Sequence, residues 1–225
     1  MKRILVAAAT PFEIQPFLDF LKKAHSQKGN ILFTQKGYEI DVVITGVGIA
    51  NTSYQLGKIL GQKPFDFALN VGVAGSFDRK ILRGQVVEVV SEQYGDLGVE
   101  EADGKFTDML ELGLIEDKYP FFEQKLINSK PLKRADMKAV KGLTVQKVHG
   151  TTASIEKILK KYKVDVESME GAAFMQACLT EKIDFAELRA ISNYVEPRNR
   201  EHWKMKEAIE NLNGVLIELF EKRLI

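Results

Sequence analysis

The chain has 225 residues, with 32 lysines and arginines against 31 aspartates and glutamates and a formal net charge of +1, so it lacks the basic excess of a nucleic-acid or polyanion binder. That length suits one α/β domain with a full core, and no linker divides it, so residues 1–225 are expected to form a single domain. A lone cysteine, Cys178, excludes an intramolecular disulfide and a thiolate metal cluster, and the three histidines have no metal-ligand spacing.

The opening MKRILVAAATPFEI is too short and too soon interrupted by Pro11 and Glu13 for a secretory segment, and no later run has the length of a membrane span. A soluble cytoplasmic protein is expected, with a small neutral or singly charged ligand as partner and neither nucleic acid nor membrane.

Ile4–Ala9 is a continuous apolar run, as in a strand buried on both faces. Thr10, Pro11 and Glu13 then make a capping sequence, followed by the stripe Ile14, Phe17, Leu18 and Leu21. Glu13 has a second reading, because it also lies just past the C-terminal end of a strand, where α/β proteins bind ligands. Ile31–Thr34 and Ile40–Thr45 read as strands around a turn at Lys36 and Gly37, and a helix follows TGVGIAN through Leu60. Gly46 and Gly48 begin a dinucleotide fingerprint, but Asn51 stands where its third glycine belongs, so NAD is rejected.

Phe65–Val71 is the next buried strand, and its exit NVGVAGSF leaves bare backbone for something flat to lie against. Gln85–Ser91 is a valine-rich strand, after which residues 94–130 lose clear period and read as an insertion or as an element covering the site or a subunit interface. Thr144–Val148 is expected as a strand, His149 and Gly150 as its exit, and Thr151–Tyr162 as a helix. His149 is open to two roles, ligand contact or packed structural residue.

Val164–Val166, Met169–Thr180 and Phe185–Ile191 read strand, helix, strand. As two neighbouring strands of a parallel unit they deliver Glu167, Ser168, Met169 and Glu170, with Ser192 and Asn193, to one edge. Glu170 taken alone is equally a helix N-terminal acid favoured by the macrodipole. The polar loop YVEPRNREHW leads into a last helix from about Glu201 to Lys222, with Ala208, Leu212, Val215, Leu216 and Leu219 on its inner face. Arg198, Arg200, His202 and Trp203 either grip an anion or aromatic substituent or form a solvated helix start.

Together and in this order, AAATPFEI, TGVGIAN, NVGVAGSF, ESMEGAA and RAISN resemble the nucleoside phosphorylase and nucleosidase superfamily over most of the chain. The resemblance implies a three-layer α/β/α sandwich around a central mixed β-sheet, assembled as a homodimer or larger homo-oligomer, that cleaves an N-glycosidic bond without metal or organic cofactor. The chain is similar to the nucleosidase branch that holds methylthioadenosine nucleosidase and futalosine hydrolase, and more to the latter. The reaction implied by that likeness is water attack on futalosine or its amino analogue, releasing hypoxanthine or adenine in a step of menaquinone biosynthesis.

Carried over by position, Glu13 matches the carboxylate that activates water, and Met169 and Glu170 match the residues under the ribose. Arg189 matches a basic group near the water, and Asn193 the purine reader. Val73, Ala74 and Gly75 match the segment against which the base lies, and Trp203 an aromatic shield of the ribose. The phosphorylases carry a phosphate-binding arginine where this chain has Asn70, so the resemblance implies water rather than phosphate as nucleophile.

The chemistry asks for the same residue types. Breaking a ribosyl–purine bond develops cationic character on the sugar and negative charge on the base, so a carboxylate and a hydrogen-bonding group are both needed. Two alternatives compete with futalosine hydrolysis. Methylthioadenosine or adenosylhomocysteine cleavage is opposed by Asn193, because adenine-specific relatives carry aspartate there. A catalytically silent nucleoside-binding domain is opposed by the presence of both Glu13 and Glu170.

Overall fold

The computed structural model describes residues 1–24, 26–28, 32–35, 37–132, 134 and 136–225. Its elements are β1 (Lys2–Ala8), α1 (Pro11–Ala24), β2 (Ser26–Lys28), β3 (Leu32–Gln35), β4 (Tyr38–Ile44), α2 (Ile49–Leu60), β5 (Phe67–Ser76) and β6 (Val86–Tyr94). There follow β7 (Gly98–Glu100), β8 (Phe106–Asp108), β9 (Phe121–Phe122), β10 (Lys125–Ile127) and β11 (Lys138–Thr144). The chain closes with α3 (Thr152–Lys161), β12 (Val166–Ser168), α4 (Gly171–Thr180), β13 (Asp184–Tyr194), a 3-10 turn (Arg200–His202) and α5 (Met205–Glu221).

Strand β1 runs parallel between β4 and β5, and its alternation sets the layers. Ile4, Val6 and Ala8 face one way, into a core shared with Phe17 and Leu21 of α1 and Leu212, Leu216 and Phe220 of α5. Leu5 and Ala7 face the other, toward Leu56 of α2 and Phe174, Met175 and Cys178 of α4. Helices therefore cover both faces of a mixed sheet, as expected for the three-layer sandwich. Helix α3 has its own small cluster, Ile158 with Leu143, Val145, Tyr162 and Val164. No helix among the described residues is long and apolar enough to cross a membrane.

At its far end the sheet closes on itself. Strand β5 pairs with β13 in parallel, β13 with β6 antiparallel, β6 with β11 and β11 with β12 in parallel, and β12 returns antiparallel to β5. The geometry of this ring corrects the sequence reading. Strands β12 and β13 are not neighbours, because β5 lies between them: β13 runs along one edge from Phe67 to Ser76, while β12 meets the other edge only at Gly75 and Ser76. Strand β5 accordingly extends through its glycines to Ser76 rather than ending at Val71, since they leave pairing backbone and no side chains in the way.

Other boundaries move as well, among them the end of β13, which runs to Tyr194 rather than Ile191, and the start of α5, which follows a 3-10 turn at Met205 rather than about Glu201. The strand expected at Thr144–Val148 is β11, which ends at Thr144; exposed Lys138 and Lys141, the latter between buried Val140 and Gly142, masked the pattern. Helix α4 starts at Gly171, with Glu170 as its N-cap residue. Within residues 94–130, β10 pairs with the edge of β6 and with β9, so part of the presumed insertion extends the sheet. Ile31 and Lys36, of the strand and turn expected there, lie outside the described residues.

Candidate active site

A cavity of ≈ 390 Å³ opens at the ring's edge. From α1 it receives Glu13, from β5 Val73, Ala74 and Gly75, and from the β12–α4 junction Glu167, Ser168, Met169 and Glu170. The end of β13 adds Ser192 and Asn193, and the start of the last helical segment adds Trp203 and Met205. Eight of the nine residues matched by position to the resembled family thus line one cavity. The ninth, Arg189, does not line it, being 1% exposed beneath it.

Helix α1 is bent where Glu13 leaves it. Ile14 has φ −125° and ψ 16°, and Pro16, which has no N–H to give, sits inside the helix. Asn213 of α5 fills the break: its Nδ2 donates to the Glu13 carbonyl at 2.9 Å and its Oδ1 accepts from the Phe17 N–H at 2.9 Å. The Glu13 carboxylate is held by three donors, Val73 N–H (3.1 Å) on Oε1, and Thr10 N–H and hydroxyl (both 3.0 Å) on Oε2. The Thr10 backbone contact is half of the expected capping box. Three donors leave roughly one of the carboxylate's four acceptor positions free.

Glu170 makes no capping bond to α4; its Oε1 accepts from Gly48 N–H at 3.0 Å. Gly48 has φ +92°, which favours glycine, so the TGVGIAN glycines bring a backbone donor to this carboxylate. Burial pushes Glu170 above the ordinary carboxylate range, Arg189 and the Gly48 N–H pull it back, and Glu13 adds to the rise.

The Asn193 amide is oriented by its neighbours, Ser192 hydroxyl donating to Oδ1 at 2.7 Å and Nδ2 donating to Tyr194 carbonyl at 2.9 Å. One amide hydrogen and one carbonyl lone pair remain uncommitted. Gly75 makes room for it, since a Cβ there would lie 3.2 Å from Asn193 Nδ2.

Arg189 crosses β13 opposite Gly72. Its Nη2 donates to Asn70 Oδ1 and lies 3.1 Å from Glu187 Oε1, so Asn70 is engaged by arginine inside the protein and does not reach the cavity.

His149 does not line this cavity. Its Nδ1 pairs with the Glu167 carboxylate, and its backbone N–H donates to the same group at 3.0 Å, which favours the structural role. Of the YVEPRNREHW cluster only Trp203 lines the cavity; Arg198 stacks over its ring at 5.0 Å, and His202 is paired with Glu196 at 2.7 Å. The sequence reading missed Phe12, Val47, Val148 and Met205, apolar residues of loops and helix starts that carry no periodic signal. Among the described residues no group of three histidine, cysteine, aspartate or glutamate side chains is arranged to hold a metal ion.

Residues 3–221 match the family model described as the phosphorylase superfamily. Among curated proteins, the chain is 31% identical over 189 residues to futalosine hydrolase of Thermus thermophilus, covering 79% of each. It is 30% identical over 190 residues to futalosine hydrolase of Streptomyces coelicolor, covering 80% of this chain and 77% of that one. Among solved structures, Helicobacter pylori futalosine hydrolase superposes with TM-score 0.82 at 15% identity, covering 98% of both chains. Methylthioadenosine/S-adenosylhomocysteine nucleosidase of Neisseria meningitidis, in complex with methylthio-immucillin-A, gives 0.79 at 17% identity, covering 99% of this chain and 100% of that one. At these identities the superpositions show the fold.

Proposed function

The chain belongs to the phosphorylase superfamily, and from that premise we propose that it is an N-glycosyl hydrolase that cleaves futalosine, or its 6-amino analogue, to the free purine and the ribosyl product. The observation that carries this reading is the convergence of Glu13, Glu170 and Asn193 on one cavity, joined to about 30% identity with curated futalosine hydrolases over most of the chain.

Glu13 is the general base. Its remaining acceptor position takes a proton from water, whose oxygen forms the new bond to the anomeric carbon. The C–N bond breaks with its electron pair going to the purine, which takes a proton from solvent, while Glu13 returns to solvent the proton it took from the attacking water, so that one water is consumed overall. Positive charge on the sugar develops beside Glu170, which holds the ribose hydroxyls, and Met169 lies under the ring. The purine rests on the backbone of Val73, Ala74 and Gly75, with its edge on Asn193. Trp203 closes over the ribose and excludes bulk water. Arg189 acts from beneath, without touching the substrate.

Asn70, a neutral amide that does not line the cavity, stands where the phosphorylases place their arginine, which supports water over phosphate as nucleophile. The exposed apolar residues Phe12, Val47 and Val148 at the mouth support assembly as a homodimer or larger homo-oligomer. The proposed setting is the cytoplasm and the proposed pathway menaquinone biosynthesis, with the whole chain acting as one domain.

The test is release of free base from futalosine beside methylthioadenosine, in phosphate buffer. Faster release of hypoxanthine with an unphosphorylated sugar product is the expected result. Preferential cleavage of methylthioadenosine would favour the adenine nucleosidase activity instead, and a ribose 1-phosphate product would overturn hydrolysis.

A further inference from the structure

Two more carboxyl groups lie inside the ring of strands, below the cavity, and the mechanism above leaves them unused. Glu92 of β6 and Glu187 of β13 are each 0% exposed. A Cβ placed on Gly171, at the start of α4, would collide with Glu92 Oε1 and Glu187 Oε1 and lie 2.8 Å from Glu187 Oε2, so these oxygens crowd about one point. Gly142 of β11 opens the same space, since a Cβ there would strike Glu92 Oε1. Bare backbone at both glycines is what admits the pair.

The hydrogen bonds around the pair are lopsided. Ala172 N–H donates to Thr144 Oγ1 at 2.7 Å, and the Thr144 hydroxyl donates to Glu92 Oε2 at 2.9 Å. Glu92 Oε1 and both oxygens of Glu187 have no hydrogen-bonding donor. The neighbouring cation, Arg189 at 3.1 Å from Glu187 Oε1, supplies charge without aligned hydrogen bonding. Two ionised carboxylates, dry and facing each other with three empty acceptors, are untenable at the usual cost of unpaired buried charge. A proton on Glu92 Oε1, directed at Glu187, removes the repulsion and gives Glu92 Oε1 and one Glu187 oxygen a partner.

We propose that Glu92 and Glu187 share one proton beneath the cleft and that Glu187 is a positioning residue, holding the Arg189 guanidinium in place beside Glu13 and Glu170. This rests on the reading that those two carboxylates carry the chemistry. The link upward is Gly72: a Cβ there would lie 2.8 Å from Glu13 Oε1 and 3.1 Å from Arg189 Nη1, so base and guanidinium border the same bare spot. Burial raises both acids of the pair, Glu92 further with help from Glu187, and Glu187 to about 7, against the pull of Arg189. Facing the pair from the surrounding elements are Arg189, Tyr94, Thr144, Cys178 and Glu170. Arg189 is the cation of that set.

The proton-bearing Glu92 thus serves as a neutral donor to an ionised Glu187, which in turn fixes Arg189. Two variants separate these parts. Glu92→Gln keeps a neutral donor, whereas Glu187→Gln removes the anion that holds the arginine. With futalosine as substrate, Glu187→Gln should lower kcat on the order of 10-fold and leave KM within about twofold, because Arg189 does not touch the ground-state substrate. Glu92→Leu should fall similarly, and Glu92→Gln should recover to within about threefold of the wild type. Infrared spectra of the wild type at neutral pH should show a protonated-carboxyl C=O band that Glu92→Gln loses and Glu187→Gln shifts.

A band unchanged in both variants overturns the shared proton. Wild-type kcat in Glu187→Gln overturns the positioning role. A wild-type protein that releases no purine overturns the assigned reaction instead, and the infrared comparison still decides whether the proton is shared.

Discussion

Asn213, near the middle of the last helix, occupies the broken turn of α1 and holds the backbone of Glu13, 200 residues earlier in the chain. In an unbroken helix the Phe17 N–H would bond to the Glu13 carbonyl directly; with Pro16 between them and Ile14 bent away, the Asn213 amide bridges the two groups. Asn213→Ala leaves a donor and an acceptor unpaired in a site that is 2% exposed. The variant should lose on the order of 2 kcal/mol in urea unfolding and also lose kcat, because the bend aims the Glu13 carboxylate. Stability lost with kcat intact would mean that the carboxylate is aimed by Thr10 and Val73 alone.

Glu13→Gln keeps the size of the side chain and an acceptor for Val73 or Thr10, but removes the basicity. The expected loss is about 10²-fold in kcat on futalosine, with an unfolding midpoint close to that of the wild type. Near-full turnover in the folded variant would exclude Glu13 as the base.

Asn193→Asp addresses the leaving group. A 6-oxopurine presents the O6 acceptor and, as the bond breaks, a protonated N7; the spare amide hydrogen and spare carbonyl lone pair of Asn193 match that pair. A mismatched edge costs about 1–3 kcal/mol, so the variant should lose about one to two decades of preference for futalosine over 6-amino nucleosides. Equal changes in kcat/KM on both substrate classes would show that the base is read elsewhere.

Stability should carry the imprint of the buried acids. At neutral pH the pair holds one proton, on Glu92; as pH falls Glu187 takes a second, because burial raises it to about 7 against an ordinary 4.5, and the folded state then holds a proton that the unfolded state releases. Its contribution is therefore full below about pH 4.5 and is lost as pH rises toward about 7, at up to about 1.4 kcal/mol per pH unit for one proton. Asp78, Glu111 and Glu196 are shifted down and act on the acid side of that window. Urea midpoints measured at pH 5 and pH 7 should drop less in Glu187→Gln than in the wild type. Equal drops would mean that Glu187 takes up no proton through that range.

Much of the architecture was legible because it rests on local chemistry. The unbroken apolar run of β1, the Thr10–Pro11–Glu13 start of α1 and the stripe of α5 each follow from side-chain periodicity within one segment. Residue type and place in the chain sufficed to nominate Glu13, Glu170 and Asn193, since each follows a strand end or begins a helix, and the structure brings them into one cavity. Tertiary structure alone decided that β12 and β13 flank β5 rather than each other, because strand neighbours are chosen by pairing across the whole ring. Only there does Asn213 meet Glu13, or Glu92 meet Glu187, partners separated by 200 and 95 positions in the sequence. In sequence, Glu187 is a carboxylate inside an apolar strand and Gly171 a small residue before a helix. The need for a proton, and for a missing side chain, arises only when folding strips the water from both acids at once.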